Sequence, residues 1–138
     1  MKKVFITGIY DIIHYGHISF MKECAKYGDL YVGICNDKYA KKIKRQPITP
    51  QEQRLYIVKN IKPVKDAFII ENINDSYIDG FIDAIKSIKP DIFIMNNDSN
   101  AVELIKQICK KLNIEFILKD RKNNEISTSK IIKNIKKK

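Results

Sequence analysis

The amino-acid sequence predicts a single Rossmann-like α/β domain in which helices flank a five-stranded parallel sheet. Short apolar runs without polar alternation are typical of strands covered on both faces, and here they alternate with segments of helical periodicity. The chain has 138 residues, 44% of them hydrophobic, which is enough for one core. No apolar run approaches the roughly 20 residues needed to cross a bilayer. We therefore expect one cytoplasmic domain over residues 1–138, without a membrane span.

Each of the five predicted strands is a short apolar run. The runs cover residues 4–7, 30–35, 67–70, 92–95 and 115–118. Because strands that alternate with helices form parallel sheets, the carboxyl ends of all five strands should meet at one edge.

Five helices are expected between and after the strands, and four of them are marked by apolar residues at helical spacing. These residues are Ile18, Met21, Cys24 and Ala25 in the first helix, Ile78, Ile82 and Ile85 in the third, Val102, Ile105, Cys109 and Leu112 in the fourth, and Ile131, Ile132 and Ile135 in the last. The third helix should end before Pro90, and the last should begin near Ser127 or Thr128 with its three isoleucines facing inward.

The second helix is predicted from its start signal. Thr49-Pro50-Gln51-Glu52 reads as a capping box with Pro at the first helical position, opening a helix that runs to about Ile61. The basic run Lys41-Lys42-Ile43-Lys44-Arg45 precedes this helix.

The charge balance favours anionic partners. The formal net charge is +10, which suits nucleotides, phosphorylated metabolites, nucleic acid or acidic membranes, although solvated surface lysines are the competing interpretation. The three cysteines, Cys24, Cys35 and Cys109, form no C-x-x-C pair. We expect them to be small buried apolar residues in a reducing compartment.

The two histidines of the chain lie three residues apart, directly after the first strand. His14 should lie in the loop and His17 in the first turn of the following helix. A helix N-terminus at this edge of a parallel sheet suits phosphate, and Gly8 and Gly16 let the backbone pass close to a bound group. The competing interpretation is that both histidines are structural. The segment matches neither G-x-G-x-x-G nor the P-loop pattern, and two histidines alone make a poor zinc site, so no protein-held metal is predicted.

Two motifs together carry a family resemblance. Residues 8–17 resemble the loop G-x-[FY]-D-x-x-H-x-G-H, and Ile126-Ser127-Thr128-Ser129-Lys130-Ile131 resembles the motif I-S-T-[ST]-x-I. The chain therefore resembles the cytidylyltransferase branch of the HxGH nucleotidyltransferase superfamily, and glycerol-3-phosphate cytidylyltransferases in particular. The resemblance covers nearly the whole chain.

This resemblance implies the reaction and the residues that carry it. A small phosphorylated alcohol, glycerol 3-phosphate being favoured, would attack the α-phosphate of CTP in line, and pyrophosphate would leave with Mg²⁺ as cofactor. The implied catalytic residues are His14, His17, Lys44, Ser127 and Thr128. The implied nucleotide-binding residues are Gly8, Ile9, Tyr10, Gly16, Asp98, Arg121 and Ser129, and Asp11 and Arg54 would bind the acceptor. The resemblance also implies a homodimer and no nucleic-acid partner.

Departures from the glycerol-3-phosphate pattern leave alternatives open. Residues 96–99 read N-N-D-S instead of G-D-D-W, Ile9 replaces a usual Thr, and Arg121 is displaced so that Lys122 could take its role. The segment Thr49-Pro50-Gln51-Glu52-Gln53-Arg54 is closer to heptose-phosphate adenylyltransferases. The alternative is thus an ATP-dependent adenylyltransferase acting on a heptose phosphate or FMN. A distant alternative is a basic nucleic-acid-binding module, although residues 119–138 contain no aromatic side chain to stack on bases.

Overall fold

The structure is a computed structural model that describes residues 1–97, 101–119 and 128–137. Its elements alternate along the chain as the sequence predicts. In order they are β1 (Lys3–Gly8), α1 (Tyr15–Ala25), β2 (Asp29–Cys35), α2 (Asp37–Ile43), α3 (Gln51–Lys59), β3 (Val64–Ile70), α4 (Tyr77–Ile88), β4 (Ile92–Asn96), α5 (Val102–Lys111), β5 (Glu115–Lys119) and α6 (Thr128–Lys137).

The five strands form one parallel sheet in the order β3-β2-β1-β4-β5. The chain moves outward from β1 to β3 and then crosses back to place β4 on the other side of β1. The carboxyl ends of β1 and β4 therefore flank the point where the direction of winding reverses, which is where ligands bind in open sheets of this kind. The predicted fold class is confirmed.

The sheet lies between two apolar layers because successive residues of β1 face opposite sides. Val4 and Ile6 pack in one cluster with Met21 of α1 and Val58 of α3, whereas Phe5 lies in the other cluster with Phe81 of α4. All three cysteines are buried and free, which confirms their prediction as buried apolar residues. In the described ranges, no helix has the length and apolar character that crossing a membrane requires.

Helix α2 was not predicted. It is seven residues long and lysine-rich, and it starts because Asn36 holds its first turn. The Asn36 side chain accepts the backbone N–H of Tyr39 at 2.8 Å and donates to the carbonyl oxygen of Ile70 at 2.8 Å. The N-cap of α2 is therefore fixed by the end of β3, and a contact so distant in sequence leaves no local pattern.

The capping box predicted at Thr49 is wrong. Helix α3 begins at Gln51 with Pro50 as its N-cap, which makes no side-chain cap, and Asp37 accepts the backbone N–H of Gln51 at 3.2 Å. The backbone of Thr49 is used instead, because its N–H donates to Asp11 and its carbonyl oxygen accepts from Arg54.

Helix α6 begins at Thr128, as expected, but its inward face is smaller than predicted. Ile131 and Ile132 are half-buried, whereas Ile135 is 63% exposed, so the inward orientation predicted for Ile135 is wrong. The alternative start at Ser127 lies outside the described residues.

Candidate active site

The loop after β1 carries the first motif in an unusual backbone conformation. Tyr10 and Ile12 both have left-handed φ angles, 56° and 53°, and a β-branched residue rarely adopts that region. The ring of Tyr10 is buried beneath Gly8, where a Cβ atom would lie 2.7 Å from Cζ of Tyr10. Such strain persists only where surrounding contacts over-determine it, and it clusters at functional sites.

The two histidines cap helix α1 reciprocally. Nδ1 of His14 accepts the N–H of Gly16 at 3.0 Å, and Nδ1 of His17 accepts the N–H of His14 at 3.2 Å. The ring centroids are 4.0 Å apart, and the ring of Tyr10 packs edge-on against His17. The structural and functional interpretations of these histidines are therefore compatible, because the cap uses only one nitrogen of each ring.

The cap also sets which imidazole nitrogen carries the proton. A nitrogen that accepts a hydrogen bond is unprotonated, so each neutral ring carries its proton on Nε2. Both histidines are thereby prepared as hydrogen-bond donors. Gly16 is required for this arrangement, because a Cβ atom at residue 16 would lie 2.9 Å from Cε1 of His14.

The second motif docks on the first through Thr128. Its hydroxyl donates to the carbonyl oxygen of Asp11 at 2.6 Å and also lies 3.3 Å from that of Ile12. The first turn of α6 thus lies beside the histidine loop. The structure brings together both motif segments, as the resemblance requires.

Arg54, predicted to bind the acceptor, is fully buried in this structure. Its guanidinium donates to the carbonyl oxygens of Ile9 at 2.6 Å, Cys35 at 2.8 Å and Thr49 at 2.9 Å, and it forms an ion pair with Asp37. It therefore joins the carboxyl ends of β1 and β2 to the start of α3. This geometry favours a positioning role, and acceptor binding by Arg54 stays a prediction.

Asp11, the other predicted acceptor-binding residue, is 3% exposed and holds the loop before α3. Its two carboxylate oxygens accept the backbone N–H groups of Ile48 and Thr49, each at 2.9 Å. Both oxygens are thus engaged by the chain itself, and direct contact with an acceptor stays a prediction.

Sequence reasoning missed Arg45. Lys44 was chosen from the basic run, but its side chain is exposed just after α2. Arg45 instead lies between the two motifs, with Nη1 3.4 Å from Oγ of Ser129 and Nη2 3.7 Å from Oδ2 of Asp11. The run of charges was the only signal, and charge alone cannot select one residue within it.

The helices that follow β2 and β3 carry a stacked pair of tyrosines, Tyr39 in α2 and Tyr77 at the start of α4. The rings of Tyr39 and Tyr77 are 4.0 Å apart and nearly parallel, at 5°. Burial, with contributions from Cys35, Tyr39 and Tyr10, raises the pKa of Tyr77, so its hydroxyl stays protonated.

Three predicted site residues, Asp98, Arg121 and Ser127, lie outside the described residues, as does the alternative Lys122. Ile9 contributes its carbonyl oxygen to Arg54, and Gly8 and Gly16 accommodate neighbouring rings. The nucleotide-binding roles assigned to Gly8, Ile9, Tyr10, Gly16 and Ser129, and the catalytic roles assigned to His14, His17, Lys44 and Thr128, stay predictions.

A family model described as cytidylyltransferase-like matches residues 5–134. The chain belongs to the cytidylyltransferase-like family. Two relatives described as FAD synthase are similar over most of their length. The protein of Methanobrevibacter smithii is 37% identical over 99% of this chain and 92% of its own, and that of Pyrococcus horikoshii is 36% identical over 96% and 91%.

A solved structure of this cytidylyltransferase-like fold is also similar. The lipopolysaccharide core biosynthesis protein from Thermoplasma volcanium GSS1 has a TM-score of 0.73 and 30% identity, covering 91% of this chain and 99% of that one. The family assignment confirms the resemblance to HxGH nucleotidyltransferases and the nucleotidyltransferase character of the enzyme.

The prediction that this chain transfers CMP from CTP to glycerol 3-phosphate is wrong, because the relatives contradict it. Relatives matching most of the chain are described as FAD synthases instead, in line with the adenylyltransferase alternative. The physical reason is that the roles which the resemblance implies for both motifs concern the phosphates, which every nucleoside triphosphate shares. They therefore identify the reaction type without identifying the base or the acceptor.

Proposed function

We propose that this protein is an ATP-dependent adenylyltransferase that transfers AMP to FMN, forming FAD and releasing pyrophosphate. The observation that carries the proposal is the similarity to FAD synthases along 96–99% of the chain, both motifs included. The net charge of +10 suits two anionic substrates.

The reaction needs positioning and charge stabilisation more than proton transfer. An oxygen of the FMN phosphate forms a bond to the α-phosphorus of ATP while the bond from that phosphorus to the bridging oxygen breaks, and the electron pair leaves on pyrophosphate. The attacking phosphate is already anionic near neutral pH, so no general base is required. Catalysis then depends on in-line alignment and on donors aimed at the developing negative charge.

The described residues supply such donors. The Nε2–H groups of His14 and His17 would hydrogen-bond the phosphate oxygens whose charge grows, because their Nδ1 atoms are held in the cap of α1. The first turn of α6, anchored through Thr128, offers backbone N–H groups to the β- and γ-phosphates.

Magnesium would enter as the Mg²⁺ complex of ATP. Within the described ranges, no cluster of three or more His, Cys, Asp or Glu side chains could hold a metal ion, and Asp11 is engaged by backbone N–H groups. This fits an ion held by phosphates and water, which neutralises charge on the leaving pyrophosphate.

The stacked tyrosines support a planar acceptor. Tyr39 in α2 and Tyr77 at the start of α4 belong to the helices that follow β2 and β3, the two strands on the side of β1 away from β4. Aromatic rings prefer offset-stacked partners, so the flavin ring would lie against Tyr39, which is half-buried, with its phosphate toward the histidines.

The test is pyrophosphate release and FAD formation by the purified chain with Mg²⁺. ATP and CTP should each be combined with FMN, heptose 1-phosphate and glycerol 3-phosphate, and a His14→Asn variant prepared identically controls for contaminating enzymes. Of these combinations, we expect turnover only for ATP with FMN. Turnover with ATP and heptose phosphate would instead favour a lipopolysaccharide-related role like that in the name of the Thermoplasma protein. If no turnover occurs with ATP and FMN, the proposal is refuted.

A further inference from the structure

We propose that the side-chain amide of Asn72 donates a hydrogen bond to the pyrimidine edge of the flavin and is thereby a specificity-determining residue for the acceptor. The inference rests on the proposed function for the identity of the acceptor. The chemistry recognised is the polar edge of a planar ring system, where carbonyl oxygens and ring nitrogens accept hydrogen bonds. The opposite, dimethylbenzene edge of a flavin offers no such acceptor.

The hydrogen bonds of Asn36 fix the orientation of the Asn72 amide. The side-chain oxygen of Asn36 accepts the backbone N–H of Tyr39, so its NH2 group is the part that donates. That NH2 group donates to Oδ1 of Asn72 at 2.7 Å and to the carbonyl oxygen of Ile70 at 2.8 Å. The amide of Asn72 therefore turns its oxygen toward Asn36 and presents its NH2 group elsewhere.

The NH2 group of Asn72 is available to a ligand. In the part of the chain that the structure describes, this group donates no hydrogen bond. Asn72 is half-buried, so a ligand atom that reaches its amide is partly shielded from water. A hydrogen bond is stronger where water and its high dielectric constant are partly excluded. The site therefore favours a ligand that carries an acceptor atom at this point.

The backbone on both sides of Asn72 is held in place. Before it, helix α4 packs so closely that a Cβ atom at Gly80 would overlap the carbonyl oxygen of Glu71. After it, Ile73 and Ser76 exchange two backbone hydrogen bonds of 2.9 Å around a tight turn, whose two central residues have left-handed φ angles of 51° and 60°. A donor that is held by such elements can select one arrangement of a ligand.

The turn that carries Asn72 is joined to the stacked pair of tyrosines. Asn36 bonds both the Asn72 amide and the backbone of Tyr39 in the first turn of α2. An ion pair of 3.3 Å between Lys38 and Asp75 is a second link between α2 and this turn. A flavin that packs against Tyr39 would therefore have one edge beside Asn72. Stacking supplies contact area for either end of the ring system, and the amide would select the pyrimidine end.

The experiment measures the KM values for FMN and ATP in FAD formation, and FMN binding by the quenching of flavin fluorescence. Asn72→Asp keeps an oxygen that accepts from Asn36 but removes the NH2 donor, and should raise the KM and the dissociation constant for FMN about tenfold. Asn72→Ala removes the donor without adding a charge and should raise both constants about fivefold. The KM for ATP should change less than about twofold in either variant.

Asn74→Asp is the matched control, because it places the same negative charge at an exposed residue of the same turn. It should change the FMN constants less than about twofold. Urea unfolding of each variant verifies its fold, and if one Asn72 variant is unfolded, the other decides.

Three results would overturn the proposal: unchanged FMN constants in the Asn72 variants, an equal loss of FMN affinity in Asn74→Asp, or an equal rise in the KM for ATP. If the wild type forms FAD and any of these results is found, the proposed function stands without this role for Asn72. If Asn72 controls FMN binding but the wild type forms no FAD, the proposed function fails and the role of Asn72 in flavin binding stands. A wild type that neither binds FMN nor forms FAD refutes both.

Discussion

Replacement of Arg54 by Met should destabilise the fold strongly, although Arg54 was predicted to contact a substrate. The guanidinium is fully buried and donates to three carbonyl oxygens in addition to its ion pair with Asp37. A methionine fills similar volume without any donor, so the three carbonyls and the carboxylate lose their partner together. Breaking a buried ion pair from one side costs about 3–5 kcal/mol.

The structure indicates where within that range the loss should fall. Asp37 is 31% exposed, so water reaches its carboxylate and part of the electrostatic cost is recovered. The carbonyl oxygen of Cys35 is buried at the end of β2 and has no such relief. We therefore expect about 3 kcal/mol, which a domain of about 5–15 kcal/mol stability survives.

The assay is urea unfolding followed by circular dichroism. Lys59→Met, on the same helix and about half exposed beside Asp66, is the matched control and should cost less than about 0.5 kcal/mol. The reasoning is refuted if Arg54→Met loses less than about 1 kcal/mol while the KM for the acceptor rises tenfold at unchanged kcat. That result would mean that the guanidinium reaches the acceptor in solution.

Four further predictions concern the site and the thiols. His14→Asn keeps a capping acceptor on α1 but removes the Nε2–H donor. Turnover should therefore fall about 10²- to 10³-fold, while the free energy of unfolding changes by about 1 kcal/mol or less. Near-normal turnover would mean that His14 is purely structural. Gly16→Ala forces a Cβ atom against the His14 ring and should lower turnover at least about tenfold. The melting temperature should not fall, because Ala favours helix. Unchanged turnover would contradict this prediction. Tyr39→Leu should raise the KM for FMN about threefold or more and leave the KM for ATP unchanged. Equal changes in both KM values would mean that the stacked tyrosines do not bind the acceptor. Burial raises the pKa of Cys35 from 9.0 to about 11, so this thiol stabilises the fold below pH 9 and loses that contribution as pH rises toward 11. Alkylation of Cys35 at pH 8 should be about 100-fold slower in the folded protein than in the urea-unfolded chain. Equal alkylation rates would refute the prediction.

The strands could be predicted from the sequence because their signal is local. The runs of β1, β2 and β4 are mostly buried, and the described strands extend the predicted ones by at most three residues. Helix α2 could not be predicted, because its start depends on the bond from Asn36 to Ile70, 34 residues away. The capping function of the histidines was equally hidden, since imidazole is not among the usual capping side chains.

The candidate site was predictable as a set of motifs but not as a set of contacts. Both histidines and Thr128 follow from motif patterns, and the structure brings their segments together. The burial of Arg54 and the position of Arg45 depend on backbone carbonyls and on a distant helix, which no side-chain pattern records. The predicted base and acceptor are wrong because the motifs identify the family, whose members include relatives described as FAD synthases.

The bond between Thr128 and Asp11 joins residues 117 positions apart, so the segment with Asp11 is synthesised long before the segment with Thr128. All five strands precede residues 128–137 in the chain and are therefore synthesised before α6. The contact between α6 and the histidine loop therefore cannot form until α6 has been synthesised. A chain released before Thr128 would carry all five strands but lack this contact.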